Sequence, residues 1–508
     1  MTSLSAPSRE RTIRNIFFSI ASQILILGTS FFTTPLIVQK LGADAYGVVV
    51  LLSTMLSYMG FMDPGLGSAT TRYLTECVFT NDWERFRQIV WSTLITYSGI
   101  GLVGGMVFFM LIPPIVSSWL NIPPDLRNVT LIAFYILIPV FIVSLTVQIP
   151  QAIVWAHNRL DLAALLTLFN GVLQPVVTIF MVFLGHGIIG VSIATLIANV
   201  ITLILGLWTA KRLFKDWGNP TYNIHIMKPL FAYGGWIYVS QVINQLIQSL
   251  DKIFIGAYIS TAAVGYYNLS VVLPLKLWII HGSFASSAFP LIVSLKTRAS
   301  PSTEIFYLVS RFVRSVQLLL LPAVLFFALW GDKFLSVWIN EEAAQHGNIS
   351  IRLASIAMLM TGFNGIHHIF LRAWGRSDLS AKVYIGNAIG YIPILYLFIR
   401  WLGISGVGLG LVMYSVIETF LVLIIIKKLV NIPISAWFPI ILNRHVFILA
   451  AIGIPIMFLQ YLLPWGTLWK LAVSGGGFLM LGSAYVWFIG FSKLERESVI
   501  KTLIRRFV

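Results

Sequence analysis

Polar side chains inside otherwise apolar segments are the residues of this sequence that could do chemistry. Within the apolar segment 231–256, amides and one acid recur every three to four residues, which places them on one face of a helix for about three turns. This polar stripe predicts the wall of a hydrated cavity that hydrogen-bonds a polar ligand; hydrogen bonding between neighbouring helices is the alternative. The members of the stripe are Gln241, Asn244, Gln245, Gln248 and Asp251, with Lys252 beside the last.

Three acids lie within apolar segments, where an unpaired charge costs several kcal/mol and therefore indicates function. Asp63 precedes Pro64 and Gly65, which predict a helix break; it would cap the restarted helix, or carry a proton or cation. Glu418 would bind a coupling ion or proton, or make a buried hydrogen bond. Together with Asp251, these acids are the predicted groups for coupling to H⁺ or Na⁺.

Four basic side chains could form a cationic patch for a phosphate-bearing ligand. Lys276 lies well inside an apolar run, and Lys252, His281 and Arg72 are its predicted companions. Lys276 could instead snorkel towards the membrane surface or pair with Asp251. The break at Asp63 and its repeat partner at His281, which is followed by glycine and serine, would be pivots that let helices bend during transport, or static kinks.

Sequence motifs of known enzymes are missing from the chain. It has no G-x-x-x-x-G-K-[ST] phosphate loop, no H-E-x-x-H and no G-x-S-x-G. His367 and His368 have no Asp, Glu or Cys at metal-ligand spacing, which favours a cavity or interfacial role over metal binding or acid–base chemistry. We therefore expect no cofactor and no enzymatic activity, and transport driven by an ion gradient or the membrane potential.

Composition identifies the elements that must position these residues. Of 508 residues, 58% are hydrophobic and 10% charged, whereas a soluble domain has roughly 45–50% apolar and roughly 25% charged residues. This composition predicts an all-α polytopic membrane protein and excludes soluble enzymes and nucleic-acid-binding modules. The net charge of +16 is explained by basic residues that gather in cytoplasmic loops.

Fourteen apolar stretches are long enough to cross a bilayer, and the loops between them are short. Most of the 34 basic residues fall on one side if the N-terminus is cytoplasmic, which predicts that both termini are cytoplasmic. From Ser492 onward the chain is basic and amphipathic, and we expect it to lie on the inner leaflet or to be a solvated end.

An internal repeat divides the chain. The pattern R-x-D-L-x-A-x5-N occurs at 159–170 and again at 376–387, an offset of 217, and Gly47 matches Gly265 at an offset of 218. The repeat predicts two parallel six-helix halves that bind substrate between them and alternate access by rocking. Gln23 lies in the first span, the repeat partner of the polar stripe. The predicted domains are an N-terminal lobe at 1–228, a C-terminal lobe at 229–428, and two further helices with the basic tail at 429–508.

Four segments resemble bacterial polysaccharide flippases of the multidrug/oligosaccharidyl-lipid/polysaccharide exporter superfamily. They lie at 35–47, 63–67, 251–267 and 286–290, and the resemblance extends over nearly the whole chain. It implies a V-shaped pair of six-helix lobes whose central cavity is lined by the first, second, seventh and eighth spans.

The resemblance also implies the cargo, an undecaprenyl-diphosphate-linked oligosaccharide turned from the inner to the outer leaflet of the bacterial inner membrane. The polar stripe would contact sugars, and Lys276, Lys252 and Arg72 would neutralise the diphosphate. Expected partners are this substrate, the bilayer and a polysaccharide polymerase or assembly machinery, with no nucleic acid and a monomeric chain.

Three other functions remain open at this point. A cation-coupled multidrug antiporter of the same superfamily would use the acids in its cavity. A lipid II flippase would have a similar size and number of spans, but more arginines in the first, second and eighth. The third is a membrane enzyme, namely an acyltransferase, a polymerase or a ligase. Polymerases and ligases are disfavoured because they typically use a large outer loop, and the loop at 331–350 is short.

Overall fold

The computed structural model describes residues 9–493 except 64, 442, 463 and 465, together with 496. The side chains of Gln241, Asn244 and Gln248 lie outside the described part, as do those of 9–21. The predicted basic tail also falls almost entirely outside it. Within the described ranges every regular element is helical, so the prediction of an all-α protein is confirmed.

The chain separates into two compact units, and the first comprises residues 1–265. Its helices are α1 (Arg9–Leu41), α2 (Ala43–Met59), α3 (Leu66–Thr80), α4 (Trp83–Pro114), α5 (Pro124–Ala156), α6 (Leu160–Phe183), α7 (Gly187–Leu213) and α8 (Ile224–Tyr258). Here α5 packs along α7, α1 packs along α6, and α8 contacts α2, α3 and α4. The predicted lobe boundary at 228, which depends on the sequence repeat, stays a prediction.

The second unit begins at Tyr266, within α9. Its helices are α9 (Thr261–Lys276), α10 (Trp278–Thr297), α11 (Ser302–Trp338), α12 (Glu341–Ala373), α13 (Ser377–Leu402), α14 (Ile404–Val430), α15 (Phe438–Ile441), α16 (Arg444–Leu462), α17 (Thr467–Lys470) and α18 (Gly477–Tyr485). The core of this unit forms where α12 packs against α11 and α14.

Twelve helices in the described part of the chain are long and apolar enough to cross a membrane. Their length and composition make the chain a multi-pass membrane protein, as the composition predicts. The seventh and eighth predicted spans, which are not among the twelve, fold as α8 and as α9 followed by α10.

Both copies of the repeated motif form the same local structure. At the start of α6, the guanidinium of Arg159 donates two hydrogen bonds of 3.0 Å to the carboxylate of Asp161. At the start of α13, Arg376 donates to Asp378 in the same way, at 2.9 and 3.0 Å. The hydrogen bonds to Asp161 raise the pKa of Arg159. The sequence match therefore reflects a repeated structure rather than chance.

The asparagine that ends each motif ties its helix to the next one. Asn170 donates from Nδ2 to the carbonyl of Ala198, 28 residues on, at 3.4 Å. Asn387 donates from Nδ2 to the carbonyl of Tyr414, 27 residues on, at 3.2 Å. The pairs α6–α7 and α13–α14 are thus joined at equivalent positions.

The helix break predicted at 63–65 is confirmed, whereas the pivot predicted at 281–283 stays a prediction. Asp63 has an extended backbone, and Gly65 has a φ of 76°, a left-handed conformation that glycine adopts at low cost. By contrast, α10 continues through 281–283, and the interruption lies at Leu277, after Pro274. Because proline lacks the backbone N–H and clashes with the preceding turn, it moves the break away from the glycine.

Candidate functional site

The most complete polar cluster in the described residues surrounds Glu418 of α14. Its side chain is buried, with 4% of the residue exposed. Oε2 accepts a hydrogen bond from Nδ2 of Asn364 at 2.8 Å, and Oε1 lies 3.1 Å from Nε2 of His368. Both partners lie on α12, one helical turn apart, so the packing of α12 on α14 presents them together to the carboxyl group. We call Glu418, Asn364 and His368, together with Ser380, Tyr384, Ser415 and Thr419, which contact them, the Glu418 cluster.

His368 is held on both ring nitrogens. While Nε2 faces Glu418, Nδ1 lies 2.7 Å from the hydroxyl of Ser380 on α13. The ring also stacks on Tyr384, with centroids 4.2 Å apart and planes 5° from parallel. A hydroxyl can donate or accept, so Ser380 satisfies either protonation state of the imidazole.

Asn364 has both ends of its amide engaged. Besides Glu418, its Nδ2 donates to the carbonyl of Ser415 at 3.0 Å, and its Oδ1 accepts from the hydroxyl of Thr419 at 2.9 Å. These bonds hold the amide so that an N–H group faces the carboxylate. Each oxygen of Glu418 therefore lies next to a nitrogen. This arrangement suits a pair of groups that share a proton. It does not suit a metal ion, because metal ligands are electron donors and the N–H group of Asn364 is not. Among the described residues no group of three or more His, Cys, Asp or Glu could hold a metal.

Asp63 caps a helix, which is one of the two roles predicted for it. Its Oδ1 accepts a hydrogen bond from the backbone N–H of Leu66 at 3.0 Å, at the start of α3. The hydroxyl of Tyr97 on α4 donates to the same oxygen at 3.2 Å. This carboxylate thus satisfies a backbone donor left free by the helix break and links α3 to α4.

The described members of the polar stripe form hydrogen bonds within α8. Gln245 donates to the hydroxyl of Ser249 at 2.9 Å. Asp251, which is 3% exposed, accepts from the backbone N–H of Lys252 at 2.8 Å and acts electrostatically on Tyr58 of α2. The buried end of the stripe therefore lies inside the first unit.

The predicted basic patch is distributed over both units. In the first unit, Arg72 is exposed on α3 and its guanidinium lies 5.6 Å from the ring centroid of Tyr73. In the second, Lys276 is half-buried at the end of α9. His281 is 4% exposed, packs against Gly365 and lies with its ring 4.3 Å from that of Trp278. Its burial means that it packs within the second unit.

Gln23, the remaining predicted site residue, lies on α1 and is exposed. Its neighbour Ser22 is buried, with 4% of the residue exposed. The first span therefore does present an amide at its surface.

Two turns at repeat-equivalent positions contact each other closely. Oδ1 of Asp44, at the start of α2, accepts from the hydroxyl of Thr261 at 2.8 Å and from the backbone N–H of Ala262 at 3.1 Å. A side chain on Gly47 would overlap the carbonyl oxygen of Thr261, and one on Gly265 would approach that of Ala43 to 2.8 Å. Glycine is required at Gly47 because no side chain fits there.

Comparison with known proteins identifies the family. The model of a family described as polysaccharide biosynthesis protein matches residues 40–342, more than half of the chain. The chain belongs to this family. One relative, named "Putative O-antigen transporter" in Shigella flexneri, is 21% identical over 408 residues, which cover 79% of this chain and 93% of the relative.

Solved structures show the same fold as this family member. A structure titled lipid II flippase MurJ, inward closed conformation, superposes with a TM-score of 0.72 at 15% identity, over 93% of this chain and 99% of that one. An inward-facing multidrug resistance transporter of the MATE family superposes with a TM-score of 0.66 at 15% identity, over 80% and 98%. The fold implied by the short sequence segments is therefore the fold seen in these structures.

Sequence reasoning missed the partner of His368 in this family member. Glu418 is 50 residues away along the chain, and only the packing of α12 on α14 brings the two side chains together. A search for metal-ligand spacing is limited to neighbours on one helix. The usable signal was that both residues are titratable and occur within apolar segments.

Proposed function

We propose that this protein carries a lipid-linked oligosaccharide, built on undecaprenyl diphosphate, from the inner to the outer leaflet of a bacterial inner membrane by alternating access. The observation that carries the proposal is membership of the polysaccharide biosynthesis family, together with a relative named for O-antigen transport that aligns along 93% of its length. Fourteen spans with cytoplasmic termini are part of the proposal, and no bond is made or broken in the substrate.

The substrate has an anionic and a neutral part, and we assign different residues to each. Arginine and lysine bind phosphate through charge and hydrogen bonds, whereas amides and hydroxyls bind sugars without a charge. The basic group comprises Arg72, Lys252 and Lys276, supported by His281. The sugar-binding group comprises Gln23, Gln241, Asn244, Gln245 and Gln248.

Of the three acids predicted to couple transport to an ion, we favour Glu418. Asp63 is engaged as a helix cap, and Asp251 bonds to the backbone of its own helix. Glu418 instead faces His368, so a proton can be shared between Oε1 and Nε2. Taking up a proton turns a carboxylate–imidazole pair into a carboxylate–imidazolium pair, and losing it reverses the change. Such a change of charge in a buried site alters which helix packing is stable.

Surface polysaccharide tests the function. Deletion of the gene in its host should abolish the surface glycan, and the plasmid-borne chain should restore it. Purified protein in vesicles should move a fluorescent undecaprenyl-diphosphate oligosaccharide between leaflets. Unchanged surface glycan with increased drug sensitivity would instead identify a multidrug antiporter, and arrested cell-wall synthesis would identify a lipid II flippase.

The substitution Glu418→Gln tests the coupling. It keeps the size and hydrogen-bonding shape of the side chain but removes its titration, so we expect the proton-gradient dependence of translocation in vesicles to disappear. Glu304→Gln is the matched control, because Glu304 is an exposed acid in the first turn of α11 in the same unit. A Glu418→Gln protein that still responds fully to an imposed pH gradient would remove Glu418 from this role.

A further inference from the structure

The first unit encloses a cavity that none of the residues discussed so far lines, apart from Asn170. Its volume is about 230 Å³, and it lies between α2, α5, α6 and α7. One wall is aliphatic, with Leu52 and Leu56 from α2 and Leu137 from α5. The polar residues that line it are Ser53, Asn170, Gln174, Ser192, Thr195 and Asn199. No charged side chain lines the cavity.

Each amide nitrogen of the cavity already donates at least one hydrogen bond within the protein. Asn170 donates to the hydroxyl of Thr202 at 3.0 Å, and Gln174 to that of Thr195 at 3.4 Å. Asn199 donates to the carbonyl of Thr195 at 2.8 Å. Among the described residues, no donor reaches the amide oxygens of these three side chains. The polar wall therefore has hydrogen-bond acceptors to spare.

Ser192 adds an unsatisfied group to the same wall. The residue is 2% exposed, and its hydroxyl has no hydrogen-bond partner in the described part of the chain. A buried hydroxyl without a partner is unfavourable, so a ligand that bonds to it restores the missing hydrogen bond. An occupant with several hydroxyl groups would satisfy Ser192 and the amide oxygens together.

Two of the positions that line the cavity have larger side chains at the equivalent positions of the second unit. Gln174 is equivalent to Tyr391 at the offset of 217 that relates Asn170 to Asn387. Thr195, on the next helix, is equivalent to Met413 at the offset of 218. Tyr391 is 1% exposed and lies 5.2 Å from Tyr414, ring centre to ring centre. Larger side chains thus occupy these two positions in the second unit.

Size and polarity define the occupant. The volume lies below the range of about 300–1,000 Å³ typical of sites for drug-sized ligands, but it far exceeds the space that one water needs. The absence of charge from the lining disfavours phosphates, uronates and organic cations. A lining that combines amides and hydroxyls with aliphatic side chains matches a sugar ring, which has hydroxyls at its edge and C–H groups on its faces.

We propose that the cavity between α2, α5, α6 and α7 is a binding site for a single uncharged sugar residue. The inference rests on the proposed function, since such a residue belongs to the oligosaccharide carried. It places one sugar subsite inside the first unit, apart from the residues of the polar stripe. The substrate class is thereby narrowed to glycans that contain at least one neutral pyranose.

Saturation-transfer NMR on the full-length protein in lipid nanodiscs tests this site, with free galactose, N-acetylglucosamine and glucuronate as probes. We expect signal transfer to at least one of the two uncharged sugars and none to glucuronate. Gln174→Tyr introduces the side chain found at the equivalent position of the second unit and should reduce the sugar signal at least tenfold. Asn199→Leu is a second variant that removes an acceptor with little added volume, and it should reduce the signal severalfold.

The matched control is Thr167→Ala on the same helix. The hydroxyl of Thr167 bonds to the carbonyl of Ala163 in its own helix and does not line the cavity, so this variant should keep the signal. Absence of any sugar signal in the unmodified protein, or a signal unaffected by both cavity substitutions, would overturn the site. Vesicle translocation is measured separately: sugar binding through Gln174 without translocation would overturn the proposed function and leave the site intact.

Discussion

His368 has a hydrogen-bond partner on each ring nitrogen, and this restricts where a proton can go. With Nε2 facing Glu418 and Nδ1 facing Ser380, neither nitrogen is left to bond water or lipid. A histidine changes charge nearer to neutral pH than any other unperturbed side chain, so a histidine–carboxylate pair is a suitable proton store. The buried position of Glu418 makes each change of charge matter to the surrounding packing.

The substitution His368→Gln tests this role. Glutamine can still donate a hydrogen bond to Glu418, but it cannot take up a proton at physiological pH. We expect translocation in vesicles to lose its dependence on an imposed pH gradient, while the protein remains folded. His225→Gln is the control, because His225 is exposed in the first unit. A response to the gradient identical to that of the unmodified protein would count against His368.

Gly47 makes a contact that no other residue could make. Any side chain there would overlap the carbonyl oxygen of Thr261, so Gly47→Ala must move the backbone of one turn. Overpacking of this kind typically costs about 1–3 kcal/mol. We expect a lower midpoint of thermal unfolding in detergent, and no such drop for Gly99→Ala, which has open space around its Cβ position. Equal midpoints for the two variants would contradict the close approach.

At the scale of elements, the break between α2 and α3 was readable from sequence, but the break between α9 and α10 was not. Asp63, Pro64 and Gly65 provide a cap, a residue without an N–H donor and a left-handed position in direct succession. Near α10, the prediction of a pivot rested on the glycine at 282, but a glycine inside a helix only weakens that helix. Pro274 disrupts the backbone hydrogen bonds themselves, and the helix is interrupted three residues later, at Leu277.

Two substitutions distinguish the role of Asp63 as the cap of α3 from any role of its negative charge. Asp63→Ala removes the acceptor for Leu66 and leaves the buried hydroxyl of Tyr97 without this partner, so we expect a loss of about 1–2 kcal/mol in stability. Asp63→Asn keeps an acceptor oxygen and should retain both stability and translocation. Thermal unfolding and vesicle translocation of the two variants provide the comparison. Loss of translocation in the stable Asp63→Asn protein would show that the charge itself is needed.

At the scale of the whole molecule, the repeat and the membrane character followed from sequence, whereas the Glu418 cluster did not. Composition and hydropathy are sums over many residues, and the R-x-D motif forms its ion pair within a single turn. These features can therefore be predicted without knowing how the helices pack. Contacts such as that of His368 with Glu418 depend on which faces of two helices meet. No local pattern specifies that meeting.

Substitution of Lys276 tests whether a basic side chain inside an apolar segment binds the anionic part of the cargo. In the described part of the chain its ammonium forms no hydrogen bond or ion pair, and the residue is half-buried. Lys276→Ala should reduce surface glycan severalfold at unchanged protein level, while Lys276→Arg should restore most of it. Lys382→Ala, at an exposed position, is the control. Full export by Lys276→Ala would exclude the residue from binding the diphosphate.

The contact between the two repeat-equivalent turns has the form of an interface between identical subunits. Gly47 meets Thr261, and Gly265 meets Ala43. Gly47 and Gly265 are equivalent at the offset of 218, and so are Ala43 and Thr261, so the two contacts are reciprocal. Such reciprocity is the hallmark of a two-fold, self-complementary association. The reciprocity is incomplete in one respect. Only the first copy of the turn carries the acid, and Asp44 accepts from the backbone N–H of Ala262, its equivalent in the second copy.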